Sequence, residues 1–478
     1  GLSKYIYDSI NVFSTRLVLN EAILQQPDDQ QQRRSSPTSP HRPFVIDAYS
    51  LIYHLYSDTK ALEYISGGEN MLFSSIVAHF LRDLLVRLRE GMPEERDVLQ
   101  RQDTAHSEVQ NSSPPLIYIV MEGSASQTKA ETWRKRMQKK IDKAANLWRK
   151  KFLMVGSFFL PPFSIDAASA VMKMFAQMHS NEVQMLWAPG EADDLIALTA
   201  SQHNAYILSS DSDFMLYTGG NIAGFCALQF MKWTKKFDEE DSSTSAGSFS
   251  FAVLTQQDIA KRLHIPQDLL PMVAVLAGND HFTGDFVEEF HETLAELFKG
   301  RMKFIQRIAK FIREASKSQP KSKDSADMDA FLSKVYGDAF RNGGLGKRAL
   351  SVHHSYQMEY VQQSATRKSA TLDQHQGACH CLWYRGLNHM YFDKKYLPYQ
   401  PIENVDTDES IQEYLSATRQ RLYTWMFFNP NSTYKDSATT VTEYFRKHIK
   451  AVKMSLPLSR ADFASMFSTQ VTKAYQKA

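Results

Sequence analysis

The chain has 478 residues, enough for two domains, and its formal net charge of only +2 at pH 7 means that any affinity for nucleic acid must come from local basic patches. Three cysteines are too few for a disulfide framework or a four-cysteine zinc site, and they indicate a reducing compartment. No apolar run approaches the roughly 18 residues of a membrane span and no signal-peptide pattern opens the chain, so we expect an intracellular protein without membrane contact.

The first 42 residues combine a mixed apolar segment with a polar insertion. The pattern of residues 4–24 predicts a helix followed by an extended piece that packs on the core. Residues 25–42 (QQPDDQQQRRSSPTSPHR) are polar, proline-bearing and of low complexity, which predicts a disordered surface insertion.

Two apolar runs further along the chain each end in an acidic residue. Residues 43–47 (PFVID) predict a buried strand that ends at Asp47 and continues into a helix. Residues 116–120 (LIYIV) predict a strand inside a parallel sheet, and Glu122 follows it. Residues 71–89, between the two runs, have apolar side chains at helical spacing and predict a long amphipathic helix. Because ligands of open α/β sheets bind at the carboxyl ends of strands, Asp47 is a candidate site residue.

A strongly basic segment follows Glu122. Residues 129–151 contain ten lysines and arginines against two acids, with a thin apolar stripe at helical spacing. Wide basic helix faces can neutralise the phosphates of a nucleic acid backbone, although an ordinary solvated surface is the alternative. The candidate nucleic-acid-binding residues are Lys129, Arg134, Lys135, Arg136, Lys139 and Lys140.

The densest group of carboxylates lies in residues 187–217 (WAPGEADDLIALTASQHNAYILSSDSDFMLY). A Pro-Gly turn predicts a helix with three acids in its first turn, where the helix dipole favours anions. A short apolar strand at residues 206–208 follows, and two further acids leave its carboxyl end. These acids are Glu191, Asp193 and Asp194 on the helix, and Asp211 and Asp213 after the strand.

Carboxylates that converge in this way repel one another unless cations lie between them. Sites made only of carboxylates suit Mg²⁺ or Mn²⁺. Two such ions, about 3.5–4 Å apart, are a common device for in-line displacement at phosphorus, because one activates water and the other stabilises the leaving oxygen. Helix capping and a solvated loop are the alternative interpretation of each acidic pair taken alone.

Residues 219–280 contain one further candidate site residue, Asp280. Residues 219–233 have hairpin character, and Thr255 begins a helix with capping-box spacing. Residues 269–278 (LLPMVAVLAG) predict a buried helix that runs into Asp280, for which a helix C-terminal turn is the alternative interpretation.

The C-terminal third has fewer distinctive motifs. A Ser/Lys/Asp-rich linker at about residues 316–329 precedes residues 330–478, whose alternation of apolar and charged positions predicts packed helices. A zinc site is disfavoured there because the spacing of the available ligands fits no standard site. These ligands are His375, Cys379, His380 and Cys381.

Three strings resemble one family. PGEADD and SSDSDF together resemble the internal domain of the flap endonuclease/XPG superfamily, and FVIDAYSLIYHLY resembles its N-terminal motif. LAGNDH and the long C-terminal region look most like the Asteroid branch. Two features depart from the superfamily pattern: Glu122 stands where an aspartate is usual, and residues 282–300 lack the glycine-rich helix-two-turn-helix that grips duplex DNA.

The resemblance implies an α/β fold, with a mainly parallel twisted sheet, flanking helices and a C-terminal, mostly helical domain. It also implies that residues precede Gly1. The implied nuclease core is 1–300, divided into an N-terminal motif at 1–123, a basic arch at 124–151 and an internal motif at 152–300. An Asteroid-type region at 301–478 follows.

The implied function is that of a Mg²⁺-dependent, structure-selective nuclease that hydrolyses DNA by a two-metal mechanism, with Mn²⁺ as a possible substitute. The expected partner is DNA with single-stranded or junction character, and DNA-directed relatives imply a nuclear location and a part in DNA repair. A catalytically weak or inactive nucleic-acid-binding or scaffold protein of the same fold is the alternative.

The resemblance also assigns roles to individual residues. Lys129 and Arg136, two helical turns apart, would draw in the scissile phosphate. Tyr53 would stack on the neighbouring base, with a core aromatic as the alternative. One ion would be held by Asp47, Glu122, Glu191 and Asp193, and the other by Asp211, Asp213 and Asp280.

Overall fold

The computed structural model describes the chain in separate ranges. These are residues 5–6, 14–19, 42–58, 70–90, 114–123, 135–136, 138–139, 142, 160, 164–188, 191–234, 247–278, 285–298, 303–317, 345–363, 395–396, 420, 438–447 and 450–459. The predicted insertion at 25–42, except Arg42, and the predicted linker at 316–329, except its first two residues, lie outside these ranges. The four ligands considered for zinc also lie outside them.

Eight strands form one mainly parallel sheet. The strands are β1 (Thr15–Leu19), β2 (Phe44–Asp47), β3 (Ile117–Met121), β4 (Val183–Trp187), β5 (Tyr206–Ser209), β6 (Gly224–Ala227), β7 (Lys232–Thr234) and β8 (Ser248–Leu254). Their order is β1-β8-β6-β5-β2-β3-β4, with β7 paired to β8. All neighbours from β6 to β4 are parallel, whereas β8 is antiparallel to β1, β6 and β7. The predicted mainly parallel α/β sheet is therefore confirmed.

The central strands are apolar because helices cover both faces of the sheet. Every residue of β2 and β3 is buried, as is typical of strands inside a parallel sheet. Successive side chains of a strand point to opposite faces, and Val45 and Ile46 accordingly belong to two different hydrophobic clusters.

The helices form the layers on the sheet. They are α1 (Ala48–Asp58), α2 (Asn70–Glu90), α3 (Ser164–Met178), α4 (Ala192–His203), α5 (Gln256–Leu263), α6 (Leu270–Ala277), α7 (Asp285–Leu297), α8 (Phe304–Lys317) and α9 (Leu345–Ser355). Helices α1, α2 and α3 contribute to the cluster that contains Ile46, and α4, α5, α6 and α8 contribute to the cluster that contains Val45. The long amphipathic helix predicted at 71–89 is confirmed as α2.

Local capping signals fix the ends of two helices near the sheet edge. Helix α4 ends at Asn204, which adopts the left-handed conformation with a φ of 48° that asparagine tolerates better than most residues. Helix α5 begins with the predicted capping box, in which the Thr255 hydroxyl accepts from Asp258 N and the Asp258 carboxylate accepts from Thr255 N.

Two secondary-structure predictions are wrong. Residues 219–233 do not form a hairpin, because β6 pairs in parallel with β5 and β7 pairs with β8 instead of β6. Residues 438–459 are extended rather than helical: β10 (Ala438–Lys447) and β11 (Lys450–Ser459) form an antiparallel pair, with the short β9 (Lys395–Tyr396) beside β10. The run of threonine, valine and aromatic residues in β10 favours the extended conformation over the helix.

Part of the C-terminal third packs on the sheet domain. Helices α8 and α9 both pack against α6, and Ile308 and Val352 belong to the same buried cluster as Val45. The predicted division at residue 300 stays a prediction. Among the helices described, none is both long and apolar enough to span a membrane.

Candidate active site

The carboxyl ends of four neighbouring strands lie at one edge of the sheet. Asp47 is the last residue of β2, and its register partner in β3 is Val120. Glu122 therefore follows β3 at the same edge, and β4 ends beside it, since Trp187 pairs with Met121. Strand β5 lies on the other side of β2 and is parallel to it. This is the edge where open α/β sheets bind their ligands.

The Asp47 carboxylate is held by two serine hydroxyls. Only 9% of Asp47 is exposed. Its Oδ2 accepts hydrogen bonds from Ser50 Oγ at 2.6 Å and from Ser209 Oγ at 2.7 Å, and its Oδ1 accepts from Ser50 N at 3.1 Å. Three donors on one carboxylate fix its orientation before any ligand arrives.

Ser209 connects this carboxylate to the acidic loop after β5. The Asp211 N–H donates to Ser209 Oγ at 3.0 Å, while the Ser209 hydroxyl donates to Asp47. Asp211 then caps a short 3-10 helix at residues 212–216, because its Oδ1 accepts from Asp213 N at 3.0 Å. The acidic ends of β2 and β5 are thus joined by a continuous chain of hydrogen bonds.

The acids of α4 and the acids after β5 both influence one buried phenol, that of Tyr217. Burial raises the pKa of Tyr217 well above its usual range, and the negative charges of Asp194, Asp193 and Asp213 raise that pKa further. Both acidic segments therefore act electrostatically on the same phenol. That these segments converge on one metal site stays a prediction.

Capping explains only some of these acids. Glu191 is the N-cap residue of α4, yet its side chain makes no capping hydrogen bond. Asp193 and Asp194 lie in the first turn of α4, where the helix dipole favours them. Asp211, by contrast, does cap its 3-10 helix, so its position has a local structural reason besides any role in binding.

The donor set matches a hard divalent cation in chemistry. Carboxylate oxygens are the ligands that Mg²⁺ and Mn²⁺ prefer. Within the ranges that the structure describes, no three or more His, Cys, Asp or Glu side chains form a group that could hold a metal ion. Asp280, the seventh predicted ligand, lies outside those ranges. Metal binding therefore stays a prediction.

Three of the six basic candidates lie in the described part of the arch. Lys135, Arg136 and Lys139 are helical and exposed. A hydrogen bond of 2.9 Å from Gln138 Nε2 to Asp142 Oδ1, four residues apart, supports the helix at this place. The other three candidates, Lys129, Arg134 and Lys140, lie outside the described residues, and the binding roles of all six stay predictions.

The two remaining site candidates are half-buried. Tyr53, on α1, packs against the cluster that contains Ile46, so the ring is anchored on the core. Glu122 follows β3 directly and is partly exposed at the sheet edge. Stacking by Tyr53 and ligation by Glu122 both stay predictions.

The structure adds residues that the sequence did not single out. Ser50, Ser209, Tyr217 and Tyr356 all contact the predicted acids or lie beside them. Ser50 and Ser209 had a detectable signal, because each stands within three residues of a predicted strand-end acid. Tyr356 had none, since it lies 143 residues beyond the carboxylate that it contacts.

Acids at the carboxyl ends of neighbouring parallel strands, with a basic helical segment between them in sequence, are the arrangement expected of an XPG-type nuclease domain. The family model described as "XPG domain containing" matches residues 160–458, more than half of the chain. The chain therefore belongs to the XPG domain-containing family, and the predicted resemblance to the Asteroid branch is confirmed by the relatives that follow.

The similar curated proteins are all single-strand DNA endonucleases of one type. The chain is 28% identical over 253 residues to the mouse protein "Single-strand DNA endonuclease ASTE1", a match that covers 52% of this chain and 31% of the relative. It is 25% identical over 297 residues to the human protein of the same name, covering 61% of this chain and 34% of the relative. The chain thus matches about a third of the length of these relatives.

Two solved nuclease structures align with this chain at low TM-scores. The catalytic core of Rad2 in complex with DNA substrate aligns with a TM-score of 0.31 and 16% identity, over 66% of this chain and 77% of that one. Flap endonuclease-1 from Methanococcus jannaschii aligns with a TM-score of 0.27 and 13% identity, over 68% of this chain and 94% of that one.

Proposed function

We propose that this chain is a divalent-metal-dependent nuclease that hydrolyses phosphodiester bonds of DNA by a two-metal mechanism. The supporting observation is that an acid at the end of β2 and the acidic loop after β5 are joined by hydrogen bonds at the carboxyl edge of the sheet. Asp47 is joined to Asp211 through Ser209, and the charges of Asp193 and Asp213 both raise the pKa of Tyr217. Carboxylates in neighbouring segments repel one another unless a cation lies between them, which supports cation binding at this edge.

The substrate is proposed to be DNA with single-stranded or junction character. The mouse and human relatives are named single-strand DNA endonucleases. The exposed cations Lys135, Arg136 and Lys139 suit a flexible phosphate backbone, which they can follow without reading bases. By the same kinship we propose a nuclear location and a role in DNA repair.

Each predicted residue has a role in this proposal. Two bound ions would supply Lewis acidity at the attacking and leaving oxygens. Four carboxylates would hold one ion and three would hold the other: Asp47, Glu122, Glu191 and Asp193 for the first, and Asp211, Asp213 and Asp280 for the second. Lys129 and Arg136 neutralise the scissile phosphate, and Tyr53 stacks on the adjoining base.

The reaction is a hydrolysis at phosphorus. Water attacks the phosphorus in line with the 3′-oxygen, the bond from phosphorus to that oxygen breaks, and a proton ends on the departing oxygen. The products are a 5′-phosphate and a 3′-hydroxyl. The hydrogen-bonded carboxylate of Asp47 contributes by keeping a fixed orientation throughout, which lowers the reorganisation that the reaction needs.

The test is a cleavage assay on labelled flap, overhang and single-stranded DNA in Mg²⁺, with and without a chelator. The Asp211→Ala/Asp213→Ala variant is compared with Asp268→Ala/Glu288→Ala, which removes the same charge at exposed positions of other elements. We expect chelator-sensitive cleavage by the wild type and the control, and a loss of at least about a hundredfold in the first variant.

Two results would contradict the proposal. Cleavage that persists in the chelator or in the Asp211→Ala/Asp213→Ala variant would mean that the activity does not come from this site. Binding of DNA without metal-dependent cleavage would favour a nucleic-acid-binding or scaffold protein of the same fold.

A further inference from the structure

A segment near residue 356 is bonded to the chain just after the acidic loop. Thr218 N donates to Tyr356 O at 2.8 Å, and Met358 N donates to Thr218 O at 2.9 Å. These two bonds form a parallel bridge between Thr218 and Gln357. The segment is therefore fixed in register two residues beyond the 3-10 helix that contains Asp213.

One side chain of the same segment contacts an acid of the loop after β5. The Tyr356 hydroxyl donates to Asp213 Oδ2 at 3.0 Å. Its ring meets the ring of Tyr217 edge-on, with centroids 5.3 Å apart and an angle of 76°. Only 5% of Tyr356 is exposed, so its phenol reaches the carboxylate from within the protein.

The helix before Tyr356 is anchored, which keeps the phenol in place. Ala349 and Val352 on α9 are buried in the cluster that contains Val45. Helix α9 packs on α6, and α6 in turn packs on the 3-10 helix at residues 212–216. A donor held by packing on one side and by two backbone hydrogen bonds on the other has little freedom to turn away.

We infer that Tyr356 is a positioning residue for the Asp213 carboxylate, so that a segment from the C-terminal third completes the acidic site. This inference rests on the proposed metal-dependent nuclease function. Groups that hydrogen-bond to a metal-ligating carboxylate orient it and tune its affinity for the ion, and losing one typically costs about 10–100-fold in metal affinity or activity. Tyr356 fixes one of the two Asp213 oxygens in this way.

The experiment measures Mn²⁺ binding to the full chain by calorimetry without DNA, alongside cleavage rate as a function of Mn²⁺ concentration. Tyr356→Phe removes only the hydroxyl, and Tyr360→Phe removes the same atom from a side chain that is 43% exposed on the same segment. We expect Tyr356→Phe to weaken Mn²⁺ affinity about 10–100-fold and to be rescued by excess Mn²⁺. Tyr360→Phe should match the wild type.

A double-mutant cycle separates positioning from general destabilisation. If Tyr356 acts through Asp213, Tyr356→Phe should change Mn²⁺ affinity little in an Asp213→Ala background, because the acceptor of the hydroxyl is already gone. An additive loss in that background, or unchanged metal affinity in Tyr356→Phe alone, overturns the inference and leaves the nuclease proposal standing. A wild type that neither binds Mn²⁺ nor cleaves DNA overturns both.

Discussion

The Ser209 hydroxyl donates to Asp47 Oδ2 at 2.7 Å and so joins the last residue of β5 to the last residue of β2. Ser209 is fully buried, and it also accepts from Asp211 N at 3.0 Å. One small side chain therefore sets the distance between two acidic segments that lie more than 160 residues apart in sequence.

Replacing Ser209 by alanine should disturb both partners of this contact. We expect Ser209→Ala to lower the free energy of unfolding by about 1–3 kcal/mol, because the buried Asp47 carboxylate loses a donor and the Asp211 N–H loses its acceptor. Metal-dependent cleavage should fall about 10–100-fold. Urea denaturation and the cleavage assay measure the two effects.

The control for that variant is Ser57→Ala. Ser57 is exposed on α1, and its hydroxyl donates to His54 O within the same helix. Its removal should change stability by no more than about 0.5 kcal/mol. Equal stability and equal metal response in both alanine variants would show that the Ser209 contact has no such role.

The exposed arch residues should contribute to DNA affinity through their charge. Replacing Lys135, Arg136 and Lys139 by alanine should weaken binding of a single-stranded oligonucleotide. The slope of log K against log salt should become shallower by roughly 2, since each neutralised phosphate of a single strand contributes about 0.7. Fluorescence anisotropy between about 50 and 200 mM KCl measures that slope.

A triple alanine variant of three other exposed lysines is the control: Lys173, Lys232 and Lys261. Equal slopes in the two triple variants would contradict a role of the arch.

A buried histidine on α9 should make stability depend on pH. His353 is 3% exposed, and burial, with a smaller contribution from the positive charge of His354, lowers its pKa to about 4. In the unfolded chain this histidine takes up a proton near pH 6.5, whereas in the folded chain it stays neutral until about pH 4. The folded state is therefore not penalised above pH 6.5, and its stability declines as the pH falls from 6.5 towards 4.

The loss from His353 between pH 7 and pH 5 should be about 2 kcal/mol. The variant His353→Leu should lack this part of the pH dependence, whereas His354→Leu should retain it. Urea unfolding at the two pH values gives the difference directly. Parallel pH dependence in His353→Leu and the wild type would show that another group is responsible.

Gly247 lies where no side chain fits. A Cβ at this position would lie 2.6 Å from Thr234 O, 2.7 Å from Asp83 Oδ2 and 2.8 Å from Trp233 Nε1. The last two atoms are themselves hydrogen-bonded to each other at 3.1 Å. Gly247→Ala should therefore displace β7 from β8 or break this bond, and destabilise the protein by about 1–3 kcal/mol. Thermal unfolding measures the change.

Gly219→Asn is a suitable control, because nothing lies within 4 Å of a Cβ there and asparagine tolerates its φ of +78°.

The sequence predicted the parts of the site that depend on local pattern. Asp47 and Asp211 follow apolar runs with strong strand character, so their places at strand ends could be read from the runs themselves. The helix with acids in its first turn was equally clear. Strand β4 was missed because its exposed and half-buried residues show no continuous apolar run.

The contacts that hold the acids could not be predicted. A serine at the end of a strand is a common turn residue, and only the pairing of β5 with β2 shows that Ser209 faces Asp47. Tyr356 reaches Asp213 only because α9 packs on α6. Such contacts depend on tertiary packing, which overrides local propensity.

The parallel bridge between Thr218 and Gln357 also has a consequence for biosynthesis. Because a chain is made from its N-terminus, the acids before residue 220 leave the ribosome well over a hundred residues ahead of Tyr356. Until the later segment docks, Thr218 lacks its backbone partners and Tyr217 lacks the ring that covers its edge. The nascent protein therefore carries Asp213 for some time before the tyrosine that contacts its carboxylate is made.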